Sequence, residues 1–214
     1  MIRDPNFAMI SFTGSTAAGK RVGQLASEHL KRVTLELGGK NSTIVLDDAD
    51  LDVAASSAAW GAYLHQGQIC MATGTVLAQK KIARDLTERL VAKAKNLPVG
   101  DPSAGPCALG PIINGRQIER IDGIVRDAIA KGAVLRAGGT YDRLFYKPTV
   151  LEGVRPDMRV YTEEVFGPVL CVLEFDTDEE AIALNNATEY GLSTGVITQS
   201  VERIGAKWVG QGLS

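Results

Sequence analysis

Residues 8–39 read AMISFTGSTAAGKRVGQLASEHLKRVTLELGG, and this stretch decides the fold. Residues 8–12 form a short apolar run of strand type. Thr13-Gly14-Ser15 makes a turn, with Ser15 placed to cap a helix over residues 16–31. Val22, Leu25, Ala26 and Leu30 recur at three- and four-residue spacing and give that helix one apolar face. Residues 33–37 (VTLEL) then alternate, with Val33, Leu35 and Leu37 on one side and Thr34 and Glu36 on the other. Gly38-Gly39 ends the run. Strand, helix and strand in this order make a βαβ unit, whose strands lie parallel.

The same alternation continues outward. Residues 43–46 read as a strand, and Asp47, Asp48 and Asp50 stand where the next helix favours negative charge. That helix, over residues 51–64, is rich in alanine and serine, so its backbone packs closely. HQGQIC (65–70) reads as a loop, residues 76–78 as a strand and residues 81–96 as a charged amphipathic helix. Residues 98–115 are mostly loop. Residues 116–131 are helical, with Gly132 at the C-terminal cap. Strands follow near Thr149 and over 169–175, a helix over 178–187, a strand over 194–198, and a last helix from Val201. The expectation is an α/β fold with a mostly parallel sheet and flanking helices.

Composition bounds the function. A chain of 214 residues makes one large domain or two unequal pieces. Apolar residues at 45% and charged residues at 22% match a globular protein rather than a disordered one. Twenty-three basic against 25 acidic residues leave a net charge of −2, which argues against a nucleic-acid partner. Cys70, Cys107 and Cys171 form no CxxC, and His29 and His65 are the only histidines, so no metal site is expected. No apolar run is long enough for a membrane span, and Asp4 and Pro5 interrupt any signal-peptide pattern. The expected setting is cytoplasmic, with no membrane partner. Asn41-Ser42-Thr43 matches a glycosylation acceptor, which means nothing without secretion.

Four segments carry candidate chemistry, each beside a plainer reading. Cys70 follows a glycine-bearing loop. It is either a competent nucleophile or a small buried apolar residue. Gly67 would let a substrate approach the backbone. Glu36, flanked by Leu35 and Leu37, is either a desolvated general base or a solvent-facing residue of an alternating strand; periodicity favours the second. Gly14 to Gly19 joins strand to helix, which is either a phosphate cradle or an ordinary turn. Glu163-Glu164-Val165-Phe166-Gly167-Pro168 offers two carboxylates either to ribose hydroxyls or to solvent.

In this order the segments ISFTGSTAAGK (10–20), TLELGGKN (34–41), HQGQICMAT (65–73) and TEEVFGPV (162–169) resemble the aldehyde dehydrogenase superfamily along the whole chain. HQGQICMAT is similar to the benzaldehyde, salicylaldehyde and vanillin dehydrogenase branch. The resemblance implies NAD(P)-dependent oxidation of an aldehyde, aromatic in that branch, with NAD favoured over NADP. Cys70 falls on the catalytic nucleophile and Glu36 on the general base. Gly14 and Ser15 fall on the pyrophosphate site, with Leu37 beside the cofactor. Glu164, with Phe166 beside it, falls on the residue that bonds the nicotinamide ribose, and Gln117 and Arg120 fall near the same ribose. Cys107 and Cys171 match no catalytic position.

The resemblance also implies residues 1–38 as the C-terminal part of a dinucleotide-binding domain and residues 39–214 as the catalytic domain, incomplete at its C-terminus. Family members are about twice this length and usually homo-oligomers. This chain is therefore expected to be a fragment without the N-terminal half and the C-terminal tail, active at most as a thiol esterase on its own. Two positions depart from the family pattern: His65 stands where Asn is common, and Thr75 stands near a common Arg.

Overall fold

The computed structural model describes residues 1–204; the remainder of the helix expected from Val201 lies outside the described residues. The chain divides into two compact units, Met1–Gly39 and Lys40–Ser214, the second described to Ile204. The first is the expected βαβ unit. Strand β1 (Met9–Thr13) and strand β2 (Arg32–Glu36) pair in parallel, Met9 opposite Arg32 and Thr13 opposite Glu36. Helix α1 (Thr16–Glu28) connects them, and Ser15 caps it by accepting from the Ala18 N–H at 3.3 Å.

Helix α1 ends at Glu28, two residues before Leu30, the last of the apolar pattern. The Leu30 and Lys31 amides donate to the Ser27 and Ala26 carbonyls in a Schellman closure, and Leu30 takes a left-handed φ of 52°. Leu30, expected on the buried face, is instead 96% exposed. The chain has to turn here to lay β2 beside β1, and that geometric demand outweighs the side chain's helical periodicity.

The second unit is a six-stranded sheet between two helical layers. Its strands are β3 (Asn41–Val45), β4 (Thr73–Gln79), β5 (Val134–Ala137), β8 (Thr149–Glu152), β9 (Val169–Phe175) and β10 (Thr194–Ile197). The order is β10-β3-β4-β9-β8-β5, parallel throughout except for β5, which runs antiparallel to β8 at the edge. A small hairpin, β6 (Tyr141–Asp142) with β7 (Phe145–Tyr146), lies between β5 and β8 in the chain, with the Tyr141 and Tyr146 rings stacked at 5.7 Å. Neither β5 nor the hairpin carries an apolar signal strong enough to read in advance.

Alternate residues of each central strand feed two different cores. Val45, Val76, Ala78, Leu170 and Val172 pack against helix α2 (Leu51–Tyr63) and helix α3 (Lys80–Asn96). Ile44, Leu77, Cys171 and Leu173 pack on the other face, against helix α4 (Gly115–Ala130) and the short helices α5 (Arg159–Thr162) and α6 (Asp178–Asn185). Burial on both faces is why these strands read as continuous apolar runs. The alanines of α2 (Ala54, Ala55, Ala58, Ala59 and Ala62) are all buried, as its small-residue composition implies.

Of the three aspartates before α2, only Asp50 caps it, accepting from the Asp52 and Val53 amides. Asp47 and Asp48 turn away to bind Arg203 on α7 (Val201–Arg203), and Asp48 also accepts from Thr198. They serve long-range ion pairing rather than the helix dipole. Among the described residues no helix is long and apolar enough to cross a membrane.

Candidate active site

Cys70 lies in the turn that joins α2 to β4. After Tyr63 the chain makes one short 3-10 stretch, Leu64–Gly67, in which His65, Gln66 and Gly67 all take left-handed φ values of 51°, 59° and 66°. Gly67 must be glycine because a Cβ there would lie 2.3 Å from the Gly167 carbonyl oxygen, and its positive φ adds strain for any other residue. The space expected for a substrate is taken by the backbone of the Phe166-Gly167-Pro168 turn. Gln68 ties the loop to the 111–113 segment, accepting from the Ile113 N–H at 2.9 Å and donating to the Pro111 carbonyl at 3.5 Å.

Cys70 and Met71 occupy the centre of a turn closed by the Ala72 N–H donating to the Ile69 carbonyl at 3.1 Å. The Cys70 side chain is half-buried, unlike that of Cys171, which is fully buried on β9. Burial pushes the Cys171 thiol up, an environment that keeps it protonated and inert. Cys107 is half-buried in the 98–115 loop. Thr75, 2% exposed within β4, brings no charge to the loop; Asn41 and Gln68 hold it by hydrogen bonds instead. His65 is exposed.

The second motif forms a tight turn before β9. Phe166 is left-handed at φ 53°. Gln117 donates to the Val165 and Phe166 carbonyls, each at 3.0 Å, and Arg120 donates to the Val165 carbonyl at 3.1 Å. In this structure Gln117 and Arg120 thus hold the backbone that presents Glu164 and Phe166. Glu163 is gripped by the Arg159 guanidinium through two bonds, 2.7 and 3.2 Å, and by Arg120 at 3.2 Å. The Arg159 bond holds its carboxyl below the usual range. Glu164 is left half-buried at the head of the turn, with the buried Lys40 in its electrostatic reach. Burial lowers the Lys40 ammonium from its ordinary value, while Cys171 and Glu164 offset part of that cost; its Nζ donates to the Gly74 carbonyl at 3.4 Å.

Because β3, β4 and β9 run parallel, the segments leading into them sit at one end of the sheet. Lys40, the Cys70 turn and the Glu164 turn are therefore gathered there, and Gly67 against Gly167 locks the last two together. An apolar cavity of about 490 Å³ lies between α2 and α3, with Trp60, Tyr63, Leu64, Leu97 and Leu109 in its wall. Cys70 is not part of that wall.

The remaining candidates belong to the first unit. Glu36 is exposed, on the face of β2 opposite the half-buried Val33 and Leu35, as the alternation gives. The Gly14 N–H donates to the Glu36 carbonyl at 3.0 Å, which extends the β1–β2 ladder into the turn. A Cβ on Gly14 would touch the Phe12 ring at 2.6 Å. Leu37 packs its side chain over Gly19, where a Cβ would lie 2.4 Å from it.

Sequence reasoning missed Lys40, Asn41 and Gln68. The partners of Asn41 lie 29, 31 and 152 residues away, and no local pattern encodes them. At Asn41 the sequence offered the end of the TLELGGKN motif and a glycosylation triplet, neither of which names its partners; Asn41 is 4% exposed, with both amide ends bonded.

Comparison with known proteins agrees with this architecture. The profile of the aldehyde dehydrogenase family matches residues 1–208. A vanillin dehydrogenase of Amycolatopsis is 50% identical over 203 residues, covering 95% of this chain and 42% of the relative. The NAD(+) benzaldehyde dehydrogenase of Pseudomonas putida is 47% identical over 201 residues, 94% of this chain and 41% of the relative. The crystal structure of a salicylaldehyde dehydrogenase from Pseudomonas putida G7, complexed with salicylaldehyde, superposes with a TM-score of 0.92 at 44% identity, over 94% of this chain and 42% of that one. The chain thus spans about two fifths of the length of these relatives. With four ordered motifs, this sheet and a family profile matched almost end to end, the chain belongs to the aldehyde dehydrogenase family.

Proposed function

We propose that this chain serves the NAD(P)-dependent oxidation of an aldehyde, of the aromatic class, to its carboxylic acid, with Cys70 as nucleophile and Glu36 as general base. The observation that carries the reading is the lock between the Cys70 turn and the Glu164 turn at one end of the sheet. In this reading residues 1–38 close a dinucleotide-binding domain, residues 39–214 form the thiol-bearing catalytic domain, and the parent is a cytoplasmic homo-oligomer. The aromatic class rests on the names of the relatives.

The Cys70 thiolate attacks the aldehyde carbon, and the carbon–sulfur bond that forms places negative charge on the former carbonyl oxygen. The Cys70 backbone N–H is the natural donor to that oxygen. The nicotinamide cofactor, when bound, supplies the acceptor for the hydride that leaves this carbon, which converts the thiohemiacetal to a thioester. Glu36 then takes a proton from water, hydroxide adds to the thioester carbon, and the carbon–sulfur bond breaks to release the acid and the thiolate.

The chain's residues fit such a cofactor. The N-terminus of α1, capped by Ser15 and without an acidic residue in its first turn, offers open amides to a pyrophosphate. Gly14 keeps the turn before it tight. Leu37, at the end of β2, lines the same unit. Glu164, beside Phe166, would accept from ribose hydroxyls, while Gln117 and Arg120 hold its turn. NAD is the favoured form.

The test is formation of reduced nicotinamide from benzaldehyde with NAD or NADP, with Cys70→Ala as control. A Cys70-dependent signal is expected from the full-length parent, and an unchanged rate in Cys70→Ala would end the reading. Glu36→Gln should acylate normally and release the acid about 10²–10⁴-fold more slowly. No signal from the 214-residue chain alone, with Cys70 still open to thiol reagents, would favour the alternative of a catalytic module without turnover, at most a thiol esterase.

A further inference from the structure

We propose that Asn41 is the positioning residue of Cys70: its side chain holds the Cys70 and Ala72 carbonyls, and so the two peptide planes that bracket Met71 and Ala72, and thereby the orientation of the nucleophile. The inference rests on Cys70 acting as nucleophile. Asn41 opens β3 and is 4% exposed. Its Nδ2 donates to the Cys70 carbonyl at 2.8 Å and to the Ala72 carbonyl at 3.0 Å. Its Oδ1 accepts from the Ser193 N–H at 3.0 Å. One side chain therefore bridges three segments, and its donor and acceptor ends are both used.

The position explains why a side chain does this work. The β3–β4 register breaks between Asn41 and Ser42: Asn41 faces Thr73, whereas Ser42 faces Thr75, so Gly74 is skipped. Past that bulge backbone pairing holds for one pair, Asn41 with Thr73, and ends where the Cys70 turn begins. The Asn41 side-chain amide carries the hydrogen bonding on to residues 70 and 72. A free turn would leave the Cys70 carbonyl unanchored and let the residue tilt as a whole, changing the relation of its thiol and its N–H to an incoming carbonyl. That relation matters for adding to a carbonyl, where the amide must meet the developing oxyanion. It does not matter for a simple displacement, which needs only an accessible thiolate.

This difference provides the test. In the 214-residue chain, acylation of Cys70 by p-nitrophenyl acetate is compared with its alkylation by iodoacetamide. In acylation the sulfur–carbon bond forms, nitrophenolate leaves, and the thiol proton goes to solvent. Both modifications are followed on the Cys70-bearing peptide by mass spectrometry, with Cys107 as internal reference. Asn41→Asp keeps the shape and the bond from Ser193 but loses both donated bonds; Asn41→Ala loses all three. Both should slow acylation about tenfold or more while alkylation stays within about twofold. Asn41→Ser, which retains one donor, should fall between them and the parent.

If acylation is unchanged in Asp and Ala, or if acylation and alkylation fall together in all three variants, Asn41 does not position Cys70. If the parent itself shows no acylation at Cys70 while iodoacetamide labels it, the nucleophile reading fails first and the positioning role falls with it.

Discussion

β2 and β3 follow one another in the chain, and water treats them in opposite ways. β2, in a two-stranded sheet, alternates exposed and half-buried residues along its whole length. β3, between two neighbours and under helices on both faces, buries all five of its residues, polar Asn41, Ser42 and Thr43 included. The difference teaches what polarity means in each place. Thr34 and Glu36 are polar because they meet solvent. Asn41 is polar because a buried register break needs a hydrogen-bonding side chain to bridge it.

The contrast can be broken hardest at the glycines. Gly67→Ala forces a left-handed alanine and drives a Cβ into the Gly167 backbone, which cannot swing aside. Strain and overpacking together should cost about 2–5 kcal/mol in urea unfolding. Gly14→Ala in the first unit meets first the Phe12 ring, a side chain rather than backbone, and should cost far less. Comparable losses at the two positions would show that the first unit is packed as rigidly as the second.

Next come the strands themselves. Ile44→Ala on β3 should cost about 2–4 kcal/mol, because the site is fully buried. Leu35→Ala on β2, half-buried, should cost less than half of that. Denaturant midpoints of the two variants, measured side by side, decide it.

The caps should be nearly equal and smaller. Asp50→Ala and Ser15→Ala each remove a side-chain acceptor at a helix N-terminus, for about 1 kcal/mol apiece. A marked inequality in their thermal shifts would show that one helix depends on its cap and the other on packing.

The smallest effect is a pH dependence. The Arg159 bond depresses the Glu163 carboxyl in the folded state. Its contribution is therefore fully present above the ordinary unfolded value of about 4.3 and is lost as pH falls through the lower folded value. The two side chains are 43% and 36% exposed, so the loss should stay below about 1 kcal/mol. Glu163→Gln should flatten the acid limb of stability by that amount and leave the neutral range nearly as before.

Much of this molecule is legible in its sequence because the relevant physics is local. Helix periodicity, the Ser15 cap, the alternation of β2 and the continuous apolar runs of β4 and β9 each follow from neighbours a few residues apart. The four motifs that carry the family are legible too, by their order along the chain. Cys70 and Glu164 could be picked out by type and context, but not their meeting at one end of the sheet.

What only the tertiary structure decided is non-local. The reason Gly67 must be glycine lies 100 residues later, at Gly167. Leu30 leaves the helix because β2 has to lie beside β1. Asp47 and Asp48 answer to Arg203 rather than to the helix they precede. Asn41 is held by Cys70, Ala72 and Ser193, contacts that exist only once three strands have set their register. Local propensity acts through a few neighbouring dihedrals and is written in the chain itself. Close approach and buried hydrogen bonding depend on which distant backbone arrives, and the folded sheet alone settles that.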